Sequence, residues 1–202
     1  MKFFVDTAEI EPIRELAATG LLATALPDAD IPPQQPPWTI DAALTLARSL
    51  PGEVQRPVFE TYVSQRFQQV HGANIRQFMP ELFGLSDPQG ALCAVAGVRL
   101  ASDEPLFLER YLDHPIDPLI SAAADHTVDR SAIVEVGNLA ASDTANARMS
   151  IIAMTYLLAM GGLEWVAFTG NLGLVNSFHR LGLKPVTLCA ADPARLGEDR
   201  HA

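Results

Sequence analysis

Between Ser131 and Leu183 the chain twice follows a buried strand with a helix, and that order restricts it to folds built around a parallel strand pair. The apolar run beginning AIVEV ends near Asn138, and Ser142 or Asp143 is placed to cap a helix carrying Ile151, Ile152, Met154, Tyr156, Leu157 and Leu158. Gly161 and Gly162 stop that helix. Trp165 to Phe168 make the next strand, Asn171 opens a second helix, and Gly182 and Pro185 close it. Such a unit splays two parallel strands beside helix N-termini. The free N–H groups and partial positive charge of a first helical turn suit ligand carbonyls and phosphates.

The rest of the chain supplies further strands and covering helices. Asp41 to Ser49 reads as a short helix, and Val58 to Val70 as a longer amphipathic one closed by Gly72. Glu81 to Leu85 and Ala91 to Leu100 form a hairpin across Ser86 to Gly90. Pro105 to Asp113 is apolar with Glu109 and Arg110 outward, and the stretch around Pro115 and Pro118 reads as loop. The expected architecture is α/β, a mixed central sheet of about six strands flanked by helices on both faces. Five prolines between Pro27 and Pro37 rule out helix or central strand there. The chain therefore divides into a leader at 1–26, a proline-rich linker at 27–37 and a domain at 38–202.

Composition excludes several classes. A net charge of −10, with Lys2 and Lys184 the two lysines among 14 cationic residues, argues against nucleic acid and against an anionic lipid surface. Cys93 and Cys189 sit in apolar runs and read as free thiols, and no Cys/His spacing suggests a metal. Asp6 and Glu9 interrupt the N-terminal apolar stretch, so a signal peptide is not expected and a cytoplasmic location follows. The most apolar window, Ser150 to Phe168, is broken by Gly161, Gly162 and Glu164, leaving roughly a dozen apolar residues where a membrane span needs ~20.

Asn171, Leu174, Phe178, Gly182 and Leu183 fall on the offsets of the second signature of the GNAT acetyltransferase superfamily, which this segment resembles. The superfamily's first signature, a glycine-containing loop around a coenzyme A pyrophosphate, aligns with Ser142, Ala145 and Ala147. Here the glycines are absent, so the backbone approaches a phosphate less closely. The resemblance implies an acyl donor, acyl-CoA or acyl carrier protein, with these three residues and Asn171 on the donor side. The stretch GALCAVAGVRLASDEPLFLERYLDHP is similar to part of the N-acyl-homoserine-lactone synthases, with Arg99 on their arginine; of a later Glu and Arg pair, the positions here are Glu135 and Asn138.

Acyl transfer to an amine needs oxyanion donors, a base and an acid for the leaving thiolate. Backbone N–H groups at Gly137, Asn138 and Leu139 are candidate donors if the strand bulges at glycine. Glu135 is the candidate base, the alternative being a structural ion pair with Arg99 or Arg130, since a Glu within IVEV is costly unless paired or used. Arg99 and Asn138 are candidate substrate ligands. The acid is missing, because the position where these enzymes often place a tyrosine holds Phe178; His114 and His179 read as surface residues.

Four further words, Phe78 to Pro80, Phe107 to Asp113, Ile133 to Ala140, and Phe168 to Leu183 with Asn176 and Arg180, resemble in order the recurring segments of the bacterial thermostable hemolysins. Three functions are compatible: acyl transfer from a thioester to a small amine, direct membrane damage as the family name implies, or a ligand-binding domain without catalysis. The first twenty or so residues resemble the start of small transaldolases, with Asp6 on their strand aspartate, yet no lysine follows in the context of a Schiff base. Val186 to Ala190 would leave an open sheet edge, which a second subunit can cover.

Overall fold

The computed structural model describes residues 2–6, 44–170, 172–181, 183–192 and 194–196. One mixed sheet organises them. Its strands are β1 (Lys2–Asp6), β2 (Thr45–Ser49), β3 (Glu81–Ser86), β4 (Leu92–Leu100), β5 (Ile133–Ala141), β6 (Trp165–Thr169) and β7 (Val186–Thr187), in the spatial order β2-β3-β4-β5-β6-β1-β7. β5 and β6 are parallel, and the other pairs are antiparallel. The first strand comes from the segment read as a leader, for β1 pairs with β6 from Lys2↔Thr169 to Asp6↔Trp165. β7 lies at the edge, with Val186 exposed. The linker 27–37 and the remainder of the leader fall outside the described residues, as do Asn171 and Gly182.

Among the described residues four helices cover the sheet: α1 (Arg56–His71), α2 (Ile116–Ala124), α3 (Thr144–Met160) and α4 (Leu172–Arg180). Alternation along the strands sorts them by face. Ala96, Val98, Val134, Val166 and Phe168 point toward α3 and α4, where they pack with Ile151, Ile152, Met154, Leu158, Val175 and Phe178. On the opposite face Val95 and Ala140 meet Phe59 and Val63 of α1, while Ile133, Trp165 and Ala167 meet Ile116 and Ile120 of α2.

Local signals set most boundaries. α1 ends at Gly72, whose φ of 66° supplies the left-handed cap and whose N–H reaches the Gln68 carbonyl. The β3–β4 turn is closed by Asp87, which accepts N–H bonds from Gln89 and Ala91. Two expectations change. Residues 45–49 are strand rather than helix, because their backbone pairs with β3 from Thr45↔Ser86 to Ser49↔Leu82. The segment expected to be loop around Pro118 is α2, since Pro115 is its N-cap and Pro118 lies in the first turn, where a missing N–H breaks no helical bond.

Candidate functional site

The parallel pair β5–β6 is hydrogen-bonded only as far as Val136↔Phe168. Beyond that point the strands part, and β5 continues to Ala141 beside β4 alone. A cleft of about 660 Å³ opens at the gap, and its walls come from both faces of the sheet. On the α1 side they include Arg76, Met79, Arg99, Tyr111, Glu135 and Asn138. On the α3–α4 side they are Ile151, Met154, Leu158, Phe168, Leu174 and Phe178. Phe67, Phe78 and Phe107 also line the α1 side, and Ser150 and Thr155 the α3–α4 side, so the charged and amide groups lie on the first while the second is mostly hydrocarbon.

β5 bulges at the junction. Val95 pairs with Ala140 and Gly97 with Gly137, so Asn138 and Leu139 together face Ala96. The sequence led us to expect a bulge at glycine; Asn138 instead takes the left-handed conformation, φ 50°, which asparagine tolerates better than most residues. Its Oδ1 accepts the Met79 N–H at 2.8 Å.

Glu135 is 3% exposed, beside Arg99 in the β4–β5 register. Its two oxygens accept main-chain N–H groups at the start of the 3-10 helix Phe107–Tyr111: Phe107 at 2.8 Å and Leu108 at 3.0 Å. Arg130, one of the two ion-pair partners considered for Glu135, instead binds Glu109 at 2.7 Å and Asp117 at 3.2 Å. Arg99 Nε comes within 3.1 Å of Glu104 Oε1 but is not aligned for a hydrogen bond, leaving a loose ion pair and a buried, unsatisfied nitrogen.

Tyr111 was not a candidate from sequence, because FLERY read as part of an apolar run with Glu109 and Arg110 outward. Coiled into the 3-10 helix, it lines the cleft with Glu135. Burial pushes its hydroxyl above the ordinary phenol range, with Arg110 opposing and Glu135 adding to the shift, so it is protonated at neutral pH. Glu109, expected outward, is largely buried. Burial raises its carboxyl, but hydrogen bonds from Arg130, Ile116 N–H and Leu106 N–H outweigh that and hold it below the usual carboxylate range.

The donor-side candidates lie elsewhere. Ser142, Ala145 and Ala147 stand where β5 passes into α3, outside the cleft lining, and Asn171 lies outside the described residues. At this helix start Asp143 is the N-cap. Its carboxylate takes the Asn146 N–H at 2.9 Å. Hydrogen bonds, from the Asn146 N–H first and then the Ser142 hydroxyl, hold Asp143 below its ordinary range. One of the first-turn donors, the Asn146 N–H, thus already holds an anion. Arg99, Glu135, Gly137, Asn138 and Leu139, in contrast, gather in the cleft. His114 and His179 are exposed, and Phe178 stacks on Phe168 at 4.6 Å. Among the described residues no cluster of three His, Cys, Asp or Glu is placed to hold a metal, and no helix is long and apolar enough to cross a membrane.

A mixed sheet with a bulged strand, a parting parallel pair and helices on both faces is a GNAT-like fold. It is similar to TofI, solved in a ternary complex with an inhibitor and MTA, at 15% identity and a TM-score of 0.50 over 72% of this chain and 82% of TofI. More distant likenesses are the GCN5-related glucosamine N-acetyltransferase region of a fungal multi-domain GH3 β-N-acetylglucosaminidase (12% identity, TM-score 0.45, 92% of this chain and 19% of that one) and L-PGS from Bacillus licheniformis (9%, 0.44, 99% and 55%). Within this fold the chain belongs to the thermostable hemolysin family, whose model matches residues 50–202. No curated protein sequence matches it.

Proposed function

We propose that the protein transfers an acyl group from a thioester to a small amine, with the acyl tail in the apolar half of the cleft and the amine in the polar half. The supporting observation is the cleft itself, which opens where β5 and β6 part, is lined from both faces of the sheet and carries its charged and amide groups on one of them. In this reaction the amine nitrogen bonds to the thioester carbon, the C–S bond breaks, the nitrogen loses a proton and the thiolate gains one. Main-chain N–H groups at the β5 bulge would stabilise the oxyanion. Tyr111 would protonate the thiolate. Glu135 is the one carboxylate among the described lining residues and is retained as the base, although both of its oxygens already accept N–H bonds.

The donor is best read as an acyl carrier protein rather than coenzyme A, because Asp143 presents a carboxylate where a pyrophosphate would sit. The same occupied helix start, together with Phe178 in place of a tyrosine, favours a second reading: a ligand-binding domain without catalysis. A haemolytic phenotype would follow from a surface-active N-acyl product. Thermal shift with decanoyl-CoA and decanoyl acyl carrier protein, plus native mass spectrometry for co-purified acyl species, tests the proposal. Stabilisation by the carrier-borne donor above that by decanoyl-CoA, followed by turnover with a primary amine, is expected. Binding without turnover selects the non-catalytic reading. No binding by either donor removes both.

A further inference from the structure

The segment Phe78 to Pro80, singled out as a sequence word, has no role in the chemistry just described, yet it is among the most firmly held parts of the cleft wall. Arg56, 6% exposed, donates from Nη2 to the Met79 carbonyl at 2.7 Å and from Nη1 to the Pro80 carbonyl at 3.0 Å, with its Nε on Glu60 at 2.7 Å. From the other side the Met79 N–H is taken by Asn138. The backbone of Met79 is thus fixed at both its N–H and its carbonyl. Its side chain lies across Gly97 and Gly137, which face each other in the β4–β5 register. A Cβ on Gly97 would fall 2.6 Å from Met79 Cβ, and one on Gly137 would overlap Met79 Cε. The two glycines make the notch that seats the thioether. Seated there, Met79 borders the polar half of the cleft next to the bulge.

We propose that Met79 is the specificity-determining residue that limits how bulky a head group the polar half of the cleft admits. The inference rests on the acyl-transfer reading, since it takes that half to receive the amine. A wall clamped through its backbone cannot retreat from a larger ligand, so shortening the side chain is what enlarges the space. The acceptor class that fits is a small primary amine carrying a carboxylate within reach of Arg99 or Arg76, not one with a large ring.

Product mimics test this without requiring turnover. N-decanoylglycine and N-decanoyltryptophan share the tail and differ in head size, and their affinities are measured by calorimetry for wild type, Met79→Ala and Met79→Leu. Wild type should prefer the glycine conjugate. Met79→Ala should shift the affinity ratio toward the tryptophan conjugate by about tenfold, the scale that one or two methylene-sized groups carry in a tight apolar site, while Met79→Leu should keep the wild-type ratio. Binding with an unchanged ratio in Met79→Ala overturns the role of Met79 and leaves the acyl-transfer reading in place. Failure of both conjugates to bind folded wild type overturns that reading, and the inference with it.

Discussion

Two helix starts border the β5 strand, and their caps come from different places. At the start of α3 the N–H of Asn146 is met by Asp143, a neighbour in the chain. At the start of the 3-10 helix Phe107–Tyr111, the N–H groups of Phe107 and Leu108 are met by Glu135, which arrives from a different element. The first cap is exposed and local, the second buried and assembled by the fold. The first sets a carboxylate at the open end of a helix; the second welds a cleft wall to the strand that carries the bulge. A carboxylate at a helix start is thus a stop in one case and a fastener in the other, and burial separates the two.

The sharpest way to break this comparison is Glu135→Gln. The amide keeps one acceptor oxygen but turns an NH2 group toward a buried N–H, so about 2–3 kcal/mol of stability should be lost in denaturant unfolding. Acyl transfer should also fall by a factor of about 100 if Glu135 is the base; loss of transfer with unfolding like wild type would make it a base alone, and the fastener reading fails.

Acid provides a milder test of the same wall, because Glu109 holds Leu106 N–H, Ile116 N–H and Arg130 around it. Its folded carboxyl is depressed, so its stabilisation is full above the unfolded value of about 4.3 and declines as pH falls through the lower folded value. The midpoint of wild type should drop as pH falls below about 4.3 more steeply than that of Glu109→Gln, which starts lower. Parallel curves would show that Glu109 adds nothing to that acid dependence.

The smallest effect is expected at the exposed cap. Asp143→Gly removes the anion that fills the start of α3 and leaves a residue that helix starts accept, so folding should change little. Decanoyl-CoA affinity should rise several-fold, read by calorimetry, once the first-turn donors are open to a pyrophosphate. Unchanged affinity would mean that Asp143 is not what keeps coenzyme A away.

The same contrast explains what could be read from the sequence. Asp143 was visible as a cap because its partners lie within three residues, and the β3–β4 turn was visible through Asp87 and Gly90 for the same reason. The parting of β5 and β6 followed from the order of elements. Glu135 stood out as an unusual buried charge, but its partners lie 27 and 28 residues away and are main-chain groups that carry no sequence signal. Residues 45–49 became a strand through pairing with β3, which local pattern does not encode. Met79 was flagged only as part of a recurring word. Nothing local says that Gly97 and Gly137 exist to receive it.

That notch ties together the order in which these positions can change. With Met79 in place, a side chain at Gly137 meets the thioether; once Met79 is shortened, that space is empty and a methyl group there fills it, whereas at Gly97 the Met79 Cβ and Leu82 still stand in the way. Met79→Ala and Gly137→Ala should therefore be tolerated in one sequence of steps and not in the reverse. A lineage that widens the polar half of its cleft and then acquires an alanine on β5 has passed a ratchet, because restoring the methionine would first require giving the glycine back.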